Sequence, residues 1–73
     1  MTVSYKKLWK LIIDKDMTNV YVRKSAKISS ATFTKLKNNE TVSLEVLMKL
    51  CMVLECDIGD IVEFVNHTNY SDF

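Results

Sequence analysis

The chain contains no proline and a single glycine, Gly59, and this near-absence of backbone breakers points it toward helices joined by tight polar turns. With 73 residues there is room for one domain, burying about 60% of its unfolded surface and leaving no space for a deep cleft beside the core. The apolar residues fall at helical spacing. Tyr5, Leu8, Trp9, Ile12 and Ile13 make an i, i+3, i+4, i+7, i+8 stripe. A first helix is therefore expected after Ser4 as N-cap, ending near Asp14 to Asp16. Lys6, Lys7 and Lys10 take its other face, and Leu11 lies off the stripe.

Further along, Met17-Thr18 reads as a hydrophobic staple and an N-cap for a second helix from about Asn19 to Ala26, with Val22 and Ala26 inward. Lys27-Ile28 is a brief turn whose isoleucine must be buried. Ser29 or Ser30 caps a third helix running to about Lys37. It turns Phe33 and Leu36 inward and Ser30, Ala31, Thr34 and Lys35 outward. Asn38-Asn39 suits the left-handed conformation that closes a helix. Ser43 caps a fourth helix, apolar almost all round and so expected at the buried centre. Asp57 and Asp60 resemble a capping box for a fifth helix bearing Ile58, Ile61, Val62 and Val65. The expectation is one all-α, five-helix domain over residues 1–66 and a frayed polar tail over 67–73. Its core should hold Leu8, Ile12, Val22, Ile28, Phe33, Leu36, Leu47, Leu50 and Ile61.

Charge is unevenly spread. Residues 1–38 carry nine basic side chains against two acidic ones, a net of +7, whereas residues 39–73 carry one against seven, a net of −6. One part of the chain is thus suited to a polyanion. MTVSYKK places charge before any apolar run and does not resemble a signal peptide. The longest uncharged apolar stretch, Leu50 to Leu54, is far too short to cross a bilayer, so a cytoplasmic protein is expected. Cys51 and Cys56 match no metal-ligand spacing and read as reduced thiols acting as small apolar residues. His67 is alone in the tail. No metal site or cofactor is expected.

The informative stretch is Thr18 to Leu36: a cap, a short helix, a tight turn on a buried aliphatic, a second cap and another short helix. Those parts specify a helix-turn-helix, about residues 18–37, whose second helix fits a major groove while the first straddles the backbone. In Met17-Thr18-Asn19, Val22, Ile28-Ser29, Phe33, Leu36, Val42-Ser43-Leu44-Glu45-Val46-Leu47 and Leu50, the chain resembles the lambda-repressor and Cro-like helix-turn-helix family. Leu54 to Ile61 is similar to that family's closing turn and last helix, and the resemblance spans about residues 3–65.

The resemblance implies a lambda-repressor-like DNA-binding domain that reads double-stranded DNA with its third helix and acts as a transcriptional repressor. It implies base-reading roles for Ser30, Ala31, Thr34 and Lys35. Asn19, Ser29, Thr32, Lys37 and Asn38 would hold phosphates or brace the readers. Lysine can donate to guanine, serine to several base edges, and alanine can touch a thymine methyl. Equally, Ser29 and Ser30 suit plain capping, and Lys35 and Lys37 a solvated face. The family usually has glycine at Lys27, which would then hold a positive φ at about 1 kcal/mol. It has a small residue at Arg23, whose side chain would then extend outward.

An enzyme is not expected, because no acid/base pair or activated nucleophile is recognisable. A protein-interaction or antitoxin-like module on the same fold is the alternative. One short reading helix covers few base pairs, so a homodimer through the C-terminal half is expected. Candidate surfaces are Leu11, Met52, Val53, Phe64, Val65, Tyr70 and Phe73.

Overall fold

The computed structural model describes residues 1–66. The elements are β1 (Thr2–Ser4), α1 (Lys6–Asp14), α2 (Asn19–Ser25), α3 (Ser30–Lys37), α4 (Leu44–Leu54), a 3₁₀ turn (Ile58–Asp60) and β2 (Glu63–Val65). The tail with His67, Tyr70 and Phe73 lies outside the described residues.

The nine expected core residues are all buried, joined by Tyr5, Ala26 and Leu54. α4 runs through the interior on Leu47, Leu50 and Leu54. It packs against α2 and the 3₁₀ turn, and α1 closes over α2 and the same turn. Leu11 is half-buried in this last contact, facing Glu55, Cys56 and Asp60, which explains its place off the stripe. Ile13, expected inward, is 71% exposed. The buried edge of α1 follows Tyr5, Leu8 and Ile12, and Ile13 lies a further helical step of about 100° round.

The fifth helix is not formed. The Asp57–Asp60 capping box is present, but it closes only one 3₁₀ turn. The following Glu63–Val65 runs extended and pairs antiparallel with Thr2–Ser4, in the register Thr2 to Val65, Val3 to Phe64 and Ser4 to Glu63. Ile61, Val62 and Val65 satisfy helical spacing, yet β-branched side chains in so short a run favour a strand once a partner is beside it. The architecture is four α-helices with a two-stranded sheet. That sheet also displaces the first cap: Ser4 ends β1, and Tyr5 stands at the N-cap position. Ser4 Oγ still accepts from the Lys6 N–H at 3.3 Å.

Tyr5 is an anchor that spacing alone marked only as apolar. Its ring is 1% exposed, its hydroxyl donates to the Glu40 carbonyl at 2.7 Å, and its N–H donates to Asn39 Oδ1 at 3.1 Å. It thereby fixes the loop after α3 to the start of α1. Every α-helix is followed by a non-glycine residue in the left-handed region: Asp16 (φ 57°), Lys27 (58°), Asn39 (57°) and Glu55 (53°). A chain this poor in glycine must turn its helix ends with side chains that strain there.

Candidate nucleic-acid interface

The α2–turn–α3 unit is fixed by local hydrogen bonds at both helix starts. Thr18 Oγ1 accepts from the Tyr21 N–H at 3.0 Å, and Ser29 Oγ accepts from the Thr32 N–H at 3.1 Å. The Ser29 hydroxyl also donates to Thr32 Oγ1 at 3.0 Å. Both side chains of that second cap are therefore engaged with each other, which fits bracing better than free donation. Of the two candidate caps, Ser29 takes the role and leaves Ser30 as the first helical residue.

Between the helices the chain reverses at Lys27, whose positive φ agrees with the expectation. The Ile28 N–H donates back to the Arg23 carbonyl at 3.0 Å. Arg23 departs from its expected course. Instead of extending outward, its guanidinium turns along the turn, and Nη1 donates to the Ile28 carbonyl at 3.4 Å. The backbone and side chain of Arg23 thus hold both polar groups of Ile28, in a place where a small residue could make only the first bond.

On α3, Phe33 and Leu36 are buried, and Ser30, Ala31, Thr34 and Lys35 lie together on the exposed side. Thr34 Oγ1 donates to the Ser30 carbonyl at 2.9 Å, so its hydroxyl proton is committed to the helix, leaving its lone pairs and methyl outward. Phe33 meets Trp9 edge-to-face at 5.5 Å. The Lys37 ammonium sits 5.7 Å from the Phe33 ring centre, within cation–π range. Asn19 opens α2, Asn38 caps α3, and both are exposed. Val20 and Tyr21, exposed on α2, border the same unit. Both lie within the first turn after the Thr18 cap, which is the only mark the sequence gives them.

Electrostatically, residues 17–39 carry Arg23, Lys24, Lys27, Lys35 and Lys37 and no acidic side chain. The lysines of α1 are differently placed. Lys7 Nζ donates to the Gly59 carbonyl at 3.1 Å, and Lys7, Lys10 and Lys15 share a cleft with Asp14, Glu55 and Asp60. The two halves of the sequence therefore do not form two separate poles. Positive charge without acidic neighbours in sequence is concentrated on the helix-turn-helix.

Among the described residues, no cluster of three or more His, Cys, Asp or Glu is placed to hold a metal ion. No helix there is long and apolar enough to cross a membrane.

This arrangement of capped helices around a tight turn is matched in known proteins. The profile of the Cro/C1-type HTH DNA-binding domain matches residues 7–67, and the chain belongs to that family. The crystal structure of the transcriptional regulator VanUg (Form II) superposes with a TM-score of 0.87 at 50% identity, over 90% of this chain and 88% of that one. No curated protein matches the chain.

Proposed function

We propose that the chain is a sequence-specific DNA-binding transcriptional regulator, acting as a repressor, that lays α3 in the major groove. The observation that carries this reading is the exposed Ser30, Ala31, Thr34 and Lys35 face of a capped helix, set in a segment with five basic and no acidic side chains. Small outward residues let the helix backbone approach the base edges. Lys35 and Ser30 donate to bases, and Ala31 and the Thr34 methyl offer apolar contact. Asn19, Lys37 and Asn38 reach phosphates at the two ends of the unit, while Ser29 and Thr32 brace it. Membership of the DNA-binding family and the likeness to VanUg support the reading. Repression then follows from occupying a promoter.

A homodimer supplies two half-sites about 34 Å apart. Phe64 on β2 is 72% exposed and Met52 on α4 is 76% exposed, which supports placing the interface in the C-terminal half. A protein-interaction role has one observation in its favour. Leu44, Met48, Met52 and Ile58 border an apolar groove along α4, and methionine-lined grooves accept varied partners. Selection of bound sequences from a random DNA pool, followed by titration over a range of salt, decides between the two. A regulator yields one preferred, two-fold symmetric site and a steep salt slope. No enriched site and a flat slope would refute the DNA reading.

A further inference from the structure

The two cysteines take no part in the proposed DNA face. α4 ends at Leu54, Glu55 turns left-handed, and the Cys56 N–H returns to donate to the Cys51 carbonyl at 3.1 Å. In this type of helix ending, the residues that stand at Cys51 and Cys56 ordinarily make an apolar side-chain contact. Here the pair is two thiols, both free and half-buried. The backbone bond keeps their Cα atoms within about 7 Å, the separation a disulfide can span. Cys51 borders the apolar groove along α4, of about 320 Å³. Cys56 borders the cleft beside Lys15 and Asp60.

We propose that Cys51 and Cys56 are a modification site, a dithiol that closes to an intramolecular disulfide by exchange with a low-molecular-weight disulfide. Cys51 reacts first, from the groove. Its thiol gives a proton to water, and the thiolate forms a bond to one sulfur of the small disulfide, whose other half leaves and takes up a proton. Cys56 then gives up its proton and attacks Cys51 Sγ, expelling the second half as a thiol. The protein loses two protons and two electrons, and the small disulfide gains them to become two thiols.

The order of attack follows from where the two sulfurs sit, Cys51 on the apolar groove and Cys56 on the cleft shared with Glu55 and Asp60. Burial raises the Cys51 thiol, and the neighbouring Cys56 offsets part of that rise. Burial and the neighbouring Cys51 sulfur push Cys56 up to about 11. With thiolate scarce at both sulfurs, closure is slow. The bridge closes around Glu55 and locks the cap through which α4 passes to the 3₁₀ turn and β2.

The test equilibrates the full chain with mixtures of reduced and oxidised glutathione and blocks free thiols by alkylation. The protein is then cleaved after Glu55 with a glutamate-specific protease, and the unreduced peptides are weighed. The expected result is a monomer-mass protein whose Cys51 and Cys56 peptides stay joined. Their effective concentration should be on the order of millimolar or higher, and the oxidised form should melt at a higher temperature. Cys51→Ser and Cys56→Ser should each carry one persistent glutathione. Persistent glutathione on both cysteines of the unaltered chain, or links only between two chains, would overturn the proposal. That outcome is read on the unaltered protein and does not depend on the variants folding, nor on whether the chain binds DNA.

Discussion

Replacing Lys27 with glycine should stabilise the domain, although it removes a side chain and adds nothing. Lys27 sits at φ 58° between α2 and α3, where an L side chain carries about 1–2 kcal/mol of strain. Its side chain is exposed. Its N–H donates to the Lys24 carbonyl at 3.1 Å, a bond that glycine retains. Against the relief stands the freer unfolded chain that glycine brings, about 0.4–1 kcal/mol. The net gain lies between about 0 and 1.6 kcal/mol, centred near 0.8, and a domain of this size moves about 4–8 °C per kcal/mol. Urea and thermal unfolding of the free protein measure it, with Lys27→Ala as the control. Alanine removes the same charge but keeps the strain, so it should not share the gain. Equal midpoints for the two variants, or a lower one for glycine, would refute the reasoning.

At Asn39 the same change should have the opposite sign, because Asn39→Gly deletes the acceptor of the Tyr5 N–H where asparagine already tolerates positive φ; a loss of about 1 kcal/mol should appear in urea unfolding. Phe33→Ala should cost about 3–5 kcal/mol, much of the roughly 4–11 kcal/mol such a domain holds, and a variant melting like its parent would contradict the core assignment. In DNA titrations, Lys35→Ala should weaken the preferred site more than random sequence. Lys37→Ala should weaken both alike and lower the salt slope by about one unit; equal losses on all sequences for both would remove Lys35 as a reader. On the proposed homodimer, Phe64→Glu should shift sedimentation from dimer toward monomer; an unchanged dimer would place the interface elsewhere, and a monomeric parent would refute the dimer.

What the sequence discloses here depends on the reach of each interaction. Thr18, Ser29 and Ser43 cap as expected, and the Asp57–Asp60 box forms although it closes a 3₁₀ turn and not the expected helix, because a cap joins residues within one turn of each other. Val22, Phe33, Leu36 and Leu50 were recognisable because helical spacing marks one face whatever it packs against. The strand pair was not, since three-residue strands carry little pattern and Val3 meets Phe64 from far along the sequence. Tyr5 showed as apolar, but its hydroxyl and N–H partners, Glu40 and Asn39, lie in a distant loop. Arg23 misled because its neighbours in sequence do not reveal that the Ile28 carbonyl comes within its reach. In the candidate site, the outward set on α3 was legible from periodicity. The commitment of the Thr34 hydroxyl to the Ser30 carbonyl was not, because it depends on a rotamer.

The pairing of β1 with β2 bears on the order in which the domain assembles. Its three registered residue pairs close a loop of almost the whole described length, and the entropy of that closure rises with the logarithm of the length spanned. So short a ladder cannot hold such a loop shut by itself. The helices, whose contacts are nearer in sequence, must first bring Ser4 and Glu63 together. The sheet is accordingly a latch set after the helical core is in place, and the first part of the structure to spring when that core loosens.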